Sequence, residues 1–295
     1  MIFRKQKMRT WMHVLLLTIS SITVVLAQDE DTGEDRVQSA KVALITRRLN
    51  LTTEQSSPFW AVYDEFDKER KENIRSLNKL KDRFQVASDE ELKAGLKQMV
   101  EVRQKDVSIE RDYLNKFTKV ITSRQTADLY KVEFEFQKAI WDRVVKGYGK
   151  NGESLESERV AFLTNKMKLT AEQAKQFWPV YNEFEKEKEK AQQAASQVRN
   201  SISSGSSEEE IKSVLKQLIE LRQKEVDSMR RQVDKFLKIV NSRQVAMFYK
   251  GEIDFRRKII REWREQRRER IQDNMGGRRQ QFQERREQRQ ERLNH

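Results

Sequence analysis

The 295-residue chain has no cysteine, two histidines, two prolines and nine glycines. Each shortage excludes something. Without cysteine there is no disulfide and no thiolate, so stability rests on packing in any redox compartment. The histidines, His13 and His295, stand near the two ends, which leaves the interior without the usual neutral-pH base and transition-metal ligand. So few prolines and glycines suit long, uninterrupted helices. Apolar residues are scarce at 36%, and charged residues make up another 36%. Soluble domains average about 45–50% and about 25%, so a thin core and a long shape are expected. No phosphate-binding glycine loop or Gly-x-Ser-x-Gly elbow occurs. Carboxylates alternate with Lys and Arg, as in "DEFDKERKE" at 64–72, which is the pattern of a solvated helix face. No catalytic constellation emerges, so an enzyme is not expected. Neither a cofactor nor a metal site is expected. Met99, Met167, Met229, Met247 and Met275 read as packing residues.

What is present is written twice. From Lys41 and from Arg159, 13 of 26 aligned positions are identical, through "LTTEQ…FW.VY.EF" and "LTAEQ…FW.VY.EF". "LKQMVEVRQK" at Leu96 returns as "LKQLIELRQK" at Leu215, and "SRQTADLYKVE" at Ser123 as "SRQVAMFYKGE" at Ser242. The offset is 118 residues in the first block and 119 in the others. So long a period marks a duplicated unit rather than a solenoid.

Each copy reads as four helices, and the fold class is all-α. Thr52 with Gln55 forms a capping box, in which the hydroxyl accepts from the third helical N–H and the amide reaches back. Thr170 with Gln173, Ser88 with Glu91, Ser207 with Glu210, and Thr122 with Gln125 repeat it, and Asn241 with Gln244 is the variant in copy two. Val100, Val107, Leu114 and Ile121 are seven apart, as are Ile219, Val226, Val233 and Val240. That spacing keeps one seam toward a partner helix, as in a coiled coil. Tyr130, Phe134, Trp141 and Val144 form an aromatic face on the fourth helix.

The ends differ from the middle. Arg4, Lys5, Lys7 and Arg9 precede an apolar run from Val14 to Leu26, and "VLA" ends at Ala27. This pattern is that of a secretory signal peptide cleaved after Ala27; the run is shorter than the ~20 residues of a spanning helix. The expected location is the periplasm. Residues 256–295 carry 14 basic and 7 acidic side chains within a net charge of +13 for the whole chain. The expected organisation is a signal peptide at 1–27 and an acidic linker at 28–35. Helical repeat one follows at 36–146, a Gly-rich linker at 147–153 and repeat two at 154–270. An unstructured Arg/Gln-rich tail at 271–295 ends the chain.

The LTxxQ strings carry a resemblance. Leu51, Thr52 and Gln55 in "LTTEQ" and Leu169, Thr170 and Gln173 in "LTAEQ" match the motif fully. Ile121, Thr122 and Gln125 match with Ile for Leu, and Asn241 and Gln244 lie in the drifted "VNSRQ". In these strings the chain resembles the Spy and CpxP family of periplasmic proteins, and most closely a Bacteroidetes branch described as sensors of extracytoplasmic-function sigma factors. The resemblance implies a helical subunit that pairs into a cradle, and hence an internal pseudo-dimer here. It implies a chaperone without ATP, whose partners are unfolded or partly folded envelope proteins, or a restraint on one envelope sensor or anti-sigma factor. Metal-sensing relatives use His and Cys ligands that this sequence lacks. Nucleic acid is not an expected partner of an exported chain; an anionic membrane surface is a possible partner of the basic tail.

Overall fold

A computed structural model describes residues 33–148 and 152–293. The signal peptide reading at 1–27, all but the last residues of the acidic linker, and 149–151 of the Gly-rich linker lie outside the described residues. Eight helices and no strand occur among them: α1 (Gly33–Leu49), α2 (Thr53–Arg83), α3 (Asp89–Val120) and α4 (Ser123–Gly147), then α5 (Gly152–Met167), α6 (Ala171–Asn200), α7 (Glu208–Phe236) and α8 (Ser242–Leu293).

The caps set these boundaries. Gln55 N–H donates to Thr52 Oγ1 at 3.3 Å and Thr52 N–H donates to Gln55 Oε1 at 3.1 Å. The same reciprocal box opens α3 at Ser88, α4 at Thr122, α6 at Thr170 and α7 at Ser207. At α8, Gln244 N–H donates to Asn241 Oδ1 at 2.9 Å and Asn241 N–H to Gln244 Oε1 at 3.1 Å. Each box satisfies backbone donors that a helix start otherwise leaves without a partner.

The seven-spaced seams are buried along their whole length, from Val100 to Ile121 and from Ile219 to Val240. α2 lies along α3 and α6 along α7; α1 packs on α4 and α5 on α8. Between copies, α3 meets α7, α4 meets α8, and the pairs α3–α8 and α4–α7 exchange partners. Exchanging the copies maps these four helix pairs onto themselves, as in an isologous dimer interface; α2–α8 is a further contact between the copies. Gln104 and Gln223 mark the pseudo-twofold axis. They are 119 residues apart and bond reciprocally, Nε2 to Oε1, at 2.6 and 2.8 Å. Off the axis the contacts come in pairs. Ser123 donates to Glu208 while Ser242 donates to Asp89. Arg124 reaches the Ser206 carbonyl and Arg243 the Ala87 carbonyl.

The core is continuous across this interface. Leu77, Phe84, Leu92 and Leu96 of copy one share a cluster with Phe236, Val240, Val245 and Phe248 of copy two. Trp141 and Val144 of α4 pack with Phe255, Ile259 and Ile260 of α8. Among the described residues, one cluster lies within copy one alone, built on Phe59, Tyr63, Phe66, Tyr113 and Phe117. A chain with so little apolar content closes its core by sharing it.

Two expectations change. Gly147 is the last residue of α4 rather than the start of a joint. A Cβ there would lie 2.2 Å from Trp263 Nε1, so the missing side chain lets α8 approach. The segment 271–293, expected without structure, continues α8. Arg, Gln and Glu are good helix formers, and that propensity requires no apolar stripe.

Candidate functional site

The LTxxQ residues build corners. Gln55 and Gln125 bond reciprocally at 3.0 and 2.9 Å, tying the start of α2 to the start of α4. Gln125 Nε2 also donates to the Leu49 carbonyl at 3.1 Å. In copy two Gln173 and Gln244 repeat the pair at 3.1 and 2.8 Å, with Gln244 Nε2 reaching the Lys168 carbonyl at 3.5 Å. Leu51 and Leu169 pack half-buried against the neighbouring clusters, and Ile121 is buried. Thr52, Thr122, Thr170 and Asn241 are the caps. Each motif glutamine thus caps a helix and clamps a second helix start. The chemistry is structural: the motif amides bond one another, the cap backbones and the carbonyls at the ends of the preceding helices.

The cavity lies elsewhere, between the copies. A space of about 370 Å³ is lined by the second half of α2, the middle of α3, and parts of α5, α6, α7 and α8. Ile74, Leu77, Val107, Phe184, Val226 and Phe248 give it an apolar body. Around them stand charged groups, most of them paired. Arg159 donates to Glu252 Oε1 at 2.7 Å, Arg222 contacts Glu110 at 3.6 Å and Glu225 at 3.2 Å, and Arg103 donates to Asp106 at 3.4 Å. Burial raises the Glu225 carboxyl against the pull of Arg222.

Two lining groups are not paired in this way. Lys81 is 5% exposed; among the described residues no carboxylate lies within ion-pair reach, and its Nζ stands 5.8 Å from the centre of the Tyr249 ring. Burial, with Arg103 and Arg256 nearby, holds its ammonium well below the ordinary lysine range, and Glu252 offsets this only in part. One turn earlier, Asn78 is 6% exposed, and its Nδ2 has no hydrogen-bond acceptor. Burial, with Arg103 and Arg159 repelling, also lowers the Arg256 guanidinium to about 10, with Glu252 opposing.

Sequence reading missed this site, although a signal was present. Ile74, Leu77, Asn78 and Lys81 sit at i, i+3, i+4 and i+7, the spacing of one buried face. A lysine at the last position breaks an apolar stripe. Arg256 was counted with the basic tail, whereas it is buried.

Among the described residues no His, Cys, Asp and Glu cluster could hold a metal ion, and no helix is long and apolar enough to cross a membrane. Comparisons with curated proteins and with solved structures gave no match. Residues 155–250, which run from Leu155 in α5 to Lys250 in α8 and include both motif strings of copy two, match the family model described as LTXXQ motif family protein, and this match supports the likeness to the Spy and CpxP proteins.

Proposed function

We propose that the chain is a non-catalytic binding protein of the bacterial periplasm, exported by its leader and acting on other envelope proteins without ATP. One observation carries the reading. The corner found inside the matched span, with paired glutamines across two capped helix starts, recurs with the same geometry in copy one. Both halves therefore carry the family's structural element, and the chain works as a covalent pseudo-dimer. Binding by its dense two-sign surface charge is weak, broad and salt-dependent. The test is light scattering of an unfolding client with stoichiometric protein in low salt and no nucleotide. Suppressed aggregation that fades as salt rises supports the reading; unchanged aggregation rules it out.

A second reading, a regulator of one envelope sensor or anti-sigma factor, has its own support. The large apolar side chains exposed among the described residues are Val86, Leu237 and Ile271. Three scattered residues suit a specific polar contact better than the capture of many unfolded chains. Deleting the gene should then shift a single envelope-stress reporter while leaving general aggregation unaltered.

A further inference from the structure

We propose that the inter-copy cavity beside Lys81 and Asn78 binds a small organic anion: one carboxylate on an apolar body. The inference goes beyond the envelope-binding reading and does not depend on it. It rests on the cavity's shape, its lining and the hydrogen-bond inventory. The space of about 370 Å³ equals the liquid volume of roughly a dozen waters at ~30 Å³ each. It suits a ligand of about ten non-hydrogen atoms, within the size range of small-molecule sites.

The polar end is marked by donors that lack acceptors. Asn78 Nδ2 is buried and unsatisfied, and Lys81 has no carboxylate within ion-pair reach. A buried donor left unmade costs about 1–3 kcal/mol, more when charged, and a carboxylate placed here answers both. Most carboxylates already in the wall are engaged: Glu252 with Arg159, Glu110 and Glu225 with Arg222, Asp106 with Arg103 and Asn73, and Glu187 with Ser228 and Arg231; Glu185 meets Lys188 through one oxygen, while its Oε2 is buried without a hydrogen-bond partner. Of the neighbouring charges that weigh on Lys81, Arg103 and Arg256 are positive and Glu252 negative. The wall also carries Ile74, Leu77, Phe184 and Phe248, apolar side chains that accept the ligand's body.

The pseudo-equivalent site points the same way. There Arg199 takes the place of Lys81 and lies over the Phe134 ring at 3.8 Å. That cation has an aromatic partner in close contact, and the space around it is only about 80 Å³.

The experiment is titration calorimetry of the purified chain at neutral pH with decanoate below its micellar range, with 1-decanol, and with inorganic phosphate. The expected result is one decanoate per chain, at least tenfold weaker binding of 1-decanol and none of phosphate. Lys81→Met and Asn78→Leu should each weaken decanoate at least tenfold, whereas Arg199→Met leaves it unchanged. Absent decanoate binding overturns the proposal, as does equal affinity for 1-decanol or undiminished affinity in Lys81→Met. Equal loss in Arg199→Met would show non-specific adsorption and overturn it too. Phosphate bound as tightly as decanoate would remove the apolar body from the proposal and so reject it as stated. Thermal unfolding of each variant confirms that it is folded before titration.

Discussion

The two halves of this molecule carry the same corners but different hollows. About 370 Å³ lies open where α2 ends against copy two, and about 80 Å³ remains where α6 ends against copy one. Corresponding positions explain the contrast. α2 brings Ile74, Leu77, Asn78 and Lys81 to the larger space; α6 brings Gln192, Ala195, Ser196 and Arg199 to the region of the smaller one. Tyr130 and Tyr249 are equivalent tyrosines, each with its phenol pushed up by burial. The residues four positions further on, Phe134 and Ile253, are not equivalent in kind. Phe134 gives Arg199 a flat ring to cover, so a long cation fills its own cavity. Ile253 offers no such face, and Lys81 remains beside an open one. The two copies share the frame and differ in their interiors.

The corners give the strongest test of equivalence. Gln125→Leu removes the reach-back to the Thr122 N–H, both bonds with Gln55 and the bond to the Leu49 carbonyl. Loss of a cap costs about 0.5–2 kcal/mol and an unsatisfied partner about 1–3. A total near 3 kcal/mol is expected by chemical denaturation. Gln244→Leu breaks the corresponding reach-back and amide pair, but its carbonyl bond falls one residue later, on Lys168, and is long at 3.5 Å, so a loss nearer 2 kcal/mol is expected on the same scale. An equal loss from both substitutions would show that the corners have not diverged. A loss below 1 kcal/mol from either would remove the motif's structural role.

The part of the fold carried by local pattern was legible in the sequence. Capping boxes at Thr52, Ser88, Thr122, Thr170 and Ser207 set helix starts through bonds spanning three residues, and the seven-spaced seams from Val100 and Ile219 named the buried faces. What was not legible depended on meetings across 70 residues or more. Gln55 and Gln125 look like two separate caps until the fold joins their amides. Gln104 and Gln223 lie in plain repeats of "RQK", and nothing local says that each meets its own counterpart. Lys81 is harder still, because a charged residue on an apolar stripe reads as noise at a helix end. Its burial comes from α8, more than 160 residues later. The helical course of 271–293 was missed for another reason: absence of an apolar stripe removes a packing partner, but it does not remove intrinsic helix propensity.

Lys81 distinguishes the hollows at an intermediate energy. Replacing a buried, poorly compensated charge with an apolar side chain of similar length is commonly neutral or stabilising. Lys81→Met is expected to stabilise the unliganded chain by about 1–3 kcal/mol on that basis. Arg199→Met forfeits the stacked contact on Phe134 and should gain less or lose stability. The pH dependence fixes the sign. Lys81 has a folded value below its ordinary one of ~10.4, so between the two the unfolded chain binds more protons. Stability due to this group therefore rises with pH through that window. The difference between wild type and Lys81→Met should shrink as pH climbs toward ~10.4. Taking the difference cancels the buried tyrosines common to both. A gap that is constant with pH would show that Lys81 is not the strained cation of this cavity.

The smallest contrast sits just before each corner, where the backbone turns left-handed at equivalent positions: φ is 43° at Asn50 and 52° at Lys168. Both follow the end of a helix. At Lys168, N–H groups of residues 168 and 169 donate back to the carbonyls of Asn165 and Thr164, closing a Schellman-type turn. Asparagine tolerates this region because its short polar side chain suits it, whereas lysine has the ordinary Cβ penalty of roughly 1 kcal/mol. Copy one therefore has the better residue for the same turn. Lys168→Asn is expected to stabilise by about 0.5–1 kcal/mol, and Asn50→Lys to destabilise by a similar amount. The doubly exchanged chain should match wild type, since the sites are distant and share no partner. Melting midpoints of the four proteins measure this. If the two single changes do not oppose each other, the turns are not equivalent, and the match between the halves stops short of the backbone that carries the motif.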